Sequence, residues 1–366
     1  MVYLRQLNAT SPEEMIVRLH PLLQNPQAVL ISHTPISEPV RWEDFRRAAR
    51  AAMAAMQIEL DGEKAVIKPN VTVGERYADP DCGIGTHPGF VHGLADYLRE
   101  HGVRRGGVYV LEDPRDTDDN EPRHWRGTGY DRLAEERIVK LRCPTTHTCV
   151  KKPVPQHQAH PTLNVSRLAV GPSTVFINAP KLKTHNLAIT TLCLKNMMGV
   201  VNVFDRHYCH QAWQEIPPEL RHDDRPRHEW MDERVHTLWQ EGLARRLNDT
   251  AKAVPPHLNI IEGVVGRDGT GFHRGRNYPL GLVIAGVNMV AVDSVASYLM
   301  GFDPAQLIYL RMAAAAGLGS TDLAALRVYV VADGAIVPCP DLTALRADPP
   351  LRVIRGLAGE GEAFNG

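Results

Sequence analysis

Short unbroken apolar runs alternate along the chain with longer stretches whose apolar residues recur three and four apart. The runs at 28–32, 65–68, 108–111, 175–177, 258–262, 280–285 and 327–331 read as strands buried on both faces. The segments at 42–56, 88–101, 290–300 and 304–316 carry helical spacing, with Phe90, Leu94 and Leu98 as one stripe and Gly102 and Gly317 as stops. Ser11-Pro-Glu-Glu14 forms a capping box with proline at the first helical position, predicting a helix to about residue 23. Strands alternating with helices predict an α/β fold: a mainly parallel sheet with helices on both faces.

The alternation weakens twice. Residues 112–172 read as a long irregular connection that opens with Asp113, Asp116, Asp118 and Asp119. Residues 200–256 hold five histidines (His207, His210, His222, His228 and His236) with Trp213, Trp230 and Trp239. They read as a helical insertion forming a cap or rim. The expected organisation is two lobes around a central cleft, 1–172 and 173–340, with a peripheral tail at 341–366.

Charge and cysteine usage narrow the function. Among 366 residues, 41 Lys plus Arg face 42 Asp plus Glu, a net charge of −1. That balance gives no whole-molecule pull toward nucleic acid or an anionic membrane. The first eight residues lack the apolar core of a signal peptide. The longest apolar run, 280–302, contains Gly286, Asn288, Asp293 and Ser294, so it reads as strand, turn and helix. A cytoplasmic protein is expected. The six cysteines are Cys82, Cys143, Cys149, Cys193, Cys209 and Cys339, and no two have Cys-x-x-Cys spacing. Neither a zinc ribbon nor a ferredoxin-type cluster is encoded locally, and core thiols are the default.

The chemistry concentrates in the stretch 175–199. A strand breaks at Pro180, and Lys181, Lys183 and His185 then alternate, so an extended backbone sends all three to one side. Thr190 or Thr191 reads as the N-cap of a short helix carrying Lys195 and closed by Gly199 at its C′ position. Buried cations need a partner. It is either an anionic ligand at the loop after a strand or a carboxylate from elsewhere in the chain.

Other candidates gather around this stretch. Lys68 ends a strand, followed by Pro69 and Asn70, where α/β sheets bind ligands. Cys82-Gly-Ile-Gly-Thr-His87-Pro-Gly89 leads into a helix but is no dinucleotide fingerprint. Thr86 reads there as a helix cap, and His87 as a cap, an acid–base group or a metal ligand. Asp268, in a glycine-rich loop with Gly269 and Gly271, is read as a proton acceptor, a metal ligand, a lysine partner or a solvated turn residue. Asp293 either favours its own helix N-terminus or serves as counter-charge to Lys68 or Lys195. His207 and His210, three apart, share a helix face that suits a metal or is simply a histidine-rich surface.

Three ordered blocks resemble one family. Ile177-Asn-Ala-Pro-Lys-Leu-Lys-Thr-His185 with Leu194-Lys-Asn-Met-Met-Gly199, Val66-Ile-Lys-Pro-Asn70, and Gly286-Val-Asn-Met-Val-Ala-Val-Asp293 are similar to the signature of domain-of-unknown-function family 362. The resemblance spans about 66–319. It favours a site at the Lys68-Pro-Asn70 block, likens the loop 266–271 to the family's glycine-rich loop, and suggests a distant fold-level likeness to the lactate racemase type. The substrate-binding positions expected are Lys68, Asn70, Lys181, Asn196, Gly269 and Gly271. Many members carry a ferredoxin-like cysteine cluster, which this chain lacks. Members commonly have Asp where this chain has Glu262.

Together these features suggest an enzyme, of isomerase or lyase type, acting on a small carboxylated or phosphorylated substrate. Lys68, Lys181 and Lys183 would hold the anion, His185 would be the general acid–base group and Lys195 would stabilise developing negative charge, with Glu262, Asp268 and Asp293 in support. A divalent metal held by His87, His207 or His210 is a possible cofactor, and a homodimer a possible assembly. A redox protein using a metal or organic cofactor and a non-enzymatic metabolite-binding module are the alternatives.

Overall fold

The computed structural model describes residues 17–71, 81, 83–103, 107–114, 117–221, 232–355 and 363–364. Eleven strands build one sheet: β1 (Ala28–His33), β2 (Lys64–Pro69), β3 (Val108–Leu111), β4 (Lys140–Arg142), β5 (Thr174–Ala179), β6 (Lys181–His185), β7 (Ile189–Thr191), β8 (Leu258–Arg267), β9 (Asn277–Gly286), β10 (Arg327–Ala332) and β11 (Ala335–Pro338). The order across the sheet is β11-β10-β1-β9-β8-β5-β2-β3-β4, and β6 pairs with β8 and β7. The ladders β10–β1, β8–β5, β5–β2, β2–β3, β3–β4 and β6–β8 are parallel. Strand β9 runs against both its neighbours, so the sheet is mixed but mainly parallel. Sequence alternation does not encode strand direction, so this reversal could not be anticipated.

Nine α-helices occur among the described residues: α1 (Trp42–Ala55), α2 (Pro88–Glu100), α3 (Tyr130–Glu135), α4 (Arg167–Val170), α5 (Cys193–Asn196), α6 (Tyr208–Gln214), α7 (Glu233–Ala253), α8 (Met289–Leu299) and α9 (Ile308–Ala315). Helices α1 and α2 cover one face of the sheet; α7, α8 and α9 cover the other. Strand β1 shows why its run is unbroken: Ala28 and Leu30 join the first core, Val29 and Ile31 the second.

Several expectations change. The helix ending near residue 23 falls largely outside the described residues; within them, Val17–Arg18 pairs with Glu59–Leu60 and Pro21–Leu23 is a 3-10 turn. The division expected at residue 172 falls inside the single sheet, because β5 pairs with β2 on one side and β8 on the other. The stretch 112–172 is built from small elements, including α3, β4, α4 and a hairpin of Cys149–Pro153 with Thr162–Ser166. In the histidine-rich insertion, α7 is a core layer: Val235, Trp239, Leu243 and Leu247 are buried against the sheet-side cluster. His222, His228 and Trp230 lie outside the described residues. The tail is not all peripheral, since Leu351, Val353, Ile354 and Arg355 are buried. No helix among the described residues is long and apolar enough to cross a membrane.

Candidate functional site

The site begins where the sheet forks. Strands β2 and β5 stay in register up to Pro69 opposite Ala179. Pro180 has no amide hydrogen for a ladder, and the chain steps onto the far half of β8, setting Lys181 opposite Glu262 and Lys183 opposite Arg267. Strand β3 ends beside them at Leu111 and continues into Glu112 and Asp113. Lysines and acids thus meet at the carboxyl ends of parallel strands, where open α/β sheets place their ligands.

On the α7 face, Lys68 is 1% exposed and saturated. Its ammonium donates to Glu112 Oε2 at 2.5 Å, to the Pro69 carbonyl at 2.7 Å and to Asn196 Oδ1 at 3.1 Å. Burial, ahead of the nearby Arg206 and Lys195 charges, lowers the Lys68 pKa against the pull of Glu112. Three acceptors in contact nevertheless call for all three ammonium hydrogens, so we take Lys68 as charged, with none left over for a substrate. Asn196 Nδ2 donates to the Lys68 carbonyl at 2.9 Å and to Asn178 Oδ1 at 2.7 Å; Asn178 Nδ2 reaches Asn259 Oδ1 at 3.0 Å. Gly199 closes this net from above. A Cβ there would lie 2.3 Å from Glu112 Oε1 and 2.4 Å from Lys68 Cε. Its role is therefore close approach within a 3-10 turn (Met197–Val200), not the helix C′ position.

On the α1 face, Lys181 donates to Glu262 Oε2 at 2.5 Å and lies 5.7 Å from the Phe45 ring centroid. Glu262 also accepts from the amides of His87 and Val265 at 3.3 and 3.2 Å. Lys183 donates to the Ile84 carbonyl at 2.8 Å and sits 4.9 Å from the Phe272 ring centroid. His87 caps α2: its Nδ1 accepts from the Gly89 amide at 3.0 Å, and its ring stacks on Phe45 at 3.8 Å. Burial, then the Lys181 charge, takes the His87 pKa down to about 3, so the imidazole is neutral. Thr86, expected as a cap, instead ties β2 to β5: it accepts from the Asn70 amide at 2.9 Å and donates to the Ala179 carbonyl at 2.8 Å.

Between the two clusters stand His185 and Lys195. His185 Nδ1 accepts from the Leu187 and Ala188 amides at 3.0 and 3.2 Å, which assigns the ring proton to Nε2. Burial, followed by the charges of Lys195 and Lys183, holds its pKa well below the usual value. His185 is thus neutral, with its ring proton on Nε2. Lys195 is half-buried on α5, and no carboxylate pairs with it among the described residues.

The remaining candidates have structural partners. Asp293 accepts from the Cys193 and Leu194 amides at 2.7 and 3.0 Å, so it caps α5 in place of Thr190 or Thr191; the counter-charge of Lys68 is Glu112. Burial raises the Asp293 pKa to about 7. Asp268 contacts the Arg276 amide, the Tyr278 hydroxyl and Arg352 rather than a lysine of the central stretch. Gly269 and Gly271 have positive φ, and a Cβ on Gly271 would lie 2.2 Å from the Thr184 carbonyl, so the loop is packed against β6. His207 and His210 are exposed, their ring centroids 6.1 Å apart. Among the described residues no three His, Cys, Asp or Glu side chains gather to hold a metal. Sequence reasoning missed Glu112, Asn178 and Asn259. The usable signal for Glu112 was an acid directly after a strand of the same buried type as the one bearing Lys68.

Fold and site together define a mixed α/β protein with lysines gathered at the carboxyl edge of its sheet. Residues 65–298 match the model described as Domain of unknown function (DUF362), and the chain belongs to that family. A thylakoid-associated protein of Synechocystis is 26% identical over 262 residues, covering 71% of this chain and 70% of that protein. Among solved structures, a Thermotoga maritima protein matches with a TM-score of 0.42 at 10% identity, over 72% of this chain and 60% of its own. The lactate racemase apoprotein of Thermoanaerobacterium thermosaccharolyticum matches with a TM-score of 0.40 at 13% identity, over 73% and 56%. The chain thus spans less than two thirds of either solved structure.

Proposed function

We propose that this chain is an enzyme that binds a small carboxylated or phosphorylated molecule at the forked edge and moves a proton beside the bound anion, as an isomerase or lyase does. The observation that carries this reading is Lys195. Lys68 and Lys181 have buried carboxylates of their own, and Lys195 has none among the described residues. Its charge acts on both Lys68 and His185, so an anion arriving there relieves an unbalanced positive field. In this reading Lys195 binds the anion, His185 Nε2–H donates to the oxygen on which negative charge develops, and the proton leaving the adjacent carbon passes to a solvent water, from which it is returned. Lys183, against Phe272 and donating to the Ile84 carbonyl, adds positive field. The described cysteines are free thiols, with Cys143, Cys149 and Cys193 buried, which fits a reducing cytoplasm.

The test is solvent deuterium exchange into a panel of small carboxylates and phosphate esters, followed by NMR. Lys195→Ala and His185→Gln should each lower exchange at least about a hundredfold while the melting temperature holds. Wild-type exchange rates in Lys195→Ala would overturn the assignment. Binding without exchange by the wild-type protein would make it a binding module instead.

A further inference from the structure

The three amides of the α7-face net are all satisfied by protein partners, and a fourth at the same edge is not. Asn70 follows β2 directly at the fork and is 8% exposed. Its main chain is fully used, the amide on Thr86 Oγ1 at 2.9 Å and the carbonyl on the Thr86 amide at 2.8 Å. The next amide, of Val71, points at Glu112 Oε2 at 3.4 Å, which sets Asn70 beside the Lys68–Glu112 pair. Its side-chain oxygen is buried and has no hydrogen-bond partner among the described residues. An apolar side chain of that size would avoid the desolvation cost of an open amide beside the Lys68–Glu112 pair.

We infer that Asn70 Oδ1 accepts a hydrogen bond from the substrate, and hence that the substrate is a small anion also bearing a hydroxyl or ammonium donor. This rests on the reading above. Lys195, whose charge reaches Lys68, takes the anionic end, and Asn70, beside the same Lys68–Glu112 pair, takes the donor. The carboxylate of Glu112 is already committed to Lys68 and to the Asp113 amide at 3.0 Å, so the amide oxygen is the acceptor left for a ligand at that position.

The test uses matched ligands that differ only in the donor: malate and aspartate against succinate, and glycerol 3-phosphate against propyl phosphate. Binding is measured by calorimetry to the full chain. The wild-type protein should favour the donor-bearing member of at least one set about tenfold. Asn70→Leu should abolish that preference and keep the affinity for the plain anion, while Asn70→Asp, which retains an acceptor, should keep the preference. The ligand-free melting temperature of Asn70→Leu should stay level or rise, because a buried unsatisfied group has been removed. A fall in melting temperature would show the amide serving the fold, and an unchanged preference in Asn70→Leu would show it remote from the donor; either overturns the inference. So does loss of the preference in Asn70→Asp. If Lys195→Ala binds every ligand as the wild type does, the parent reading fails. If that variant loses binding while Asn70→Leu keeps the preference, only this inference fails. Failure of the wild type to bind any of the five at millimolar concentration overturns both.

Discussion

Among the described residues each face of the sheet shows a buried lysine–carboxylate pair, Lys68–Glu112 toward α7 and Lys181–Glu262 toward α1, both at 2.5 Å. Their surroundings differ. Lys68 is held by amides and carbonyls, with Arg206 and Lys195 nearby as like charges. Lys181 lies near the Phe45 ring, and its charge helps keep His87 neutral. The first pair fixes geometry: it positions α5 through Asn196, and α5 carries Lys195. The second sets a field. One kind of ion pair therefore does two jobs, according to whether polar or aromatic groups enclose it.

The sharpest way to break this comparison is to remove each acid. Glu112→Gln leaves Lys68 buried among cations and should cost about 3–5 kcal/mol in urea unfolding. Glu262→Gln should cost less, since the Phe45 ring still faces the Lys181 ammonium, a contact of roughly 0.5–2 kcal/mol. The reverse ranking would mean the aromatic side offers no compensation. Gly199→Ala comes next. Its Cβ meets two buried groups of the Lys68 net, and about 1–3 kcal/mol of destabilisation is expected by thermal melting.

The smallest effects lie in the pH dependence. Burial takes His87 to about 3 and His236 to about 4, below the unfolded value of 6.5. Below pH 6.5 the unfolded chain therefore binds more protons than the folded one, and these histidines cost stability as pH falls from 6.5 toward 4. Asp293, raised to about 7 from 3.8, works the other way: its stabilisation is complete below about 4 and is lost as pH rises to 7. Melts between pH 4.5 and 7.5 should show His87→Gln flattening the acid-side loss. An unchanged slope in that variant would mean His87 titrates normally.

Much of this was legible in the sequence because it is local. Strands buried on both faces announce themselves as apolar runs, and Pro180 marks the break that frees β6. The alternation of Lys181, Lys183 and His185 survives as a real strand. What could not be read is pairing across distance. Asp293 caps a helix 100 residues away, and Glu112 answers a lysine 44 residues before it. Neither has a spacing rule, because the sheet order alone decides which strand ends become neighbours. The direction of β9 and the burial of Leu351, Val353, Ile354 and Arg355 against the rest of the fold belong to the same category. Residue type drew attention to the lysines of the central stretch, but what each of them contacts followed only from the sheet order.

The amide row has one consequence for how the chain reaches this state. Lys68, Asn178 and Asn259 stand side by side on β2, β5 and β8, each opposite the next in the ladder. A slip by one residue in any of these strands would press an amide or an ammonium into hydrocarbon and bring an aliphatic side chain to the polar partners. The aliphatic residues that drive collapse are nearly interchangeable along such strands and tolerate many alignments. The polar row satisfies its partners in the observed alignment, so these three side chains favour that register over a one-residue slip.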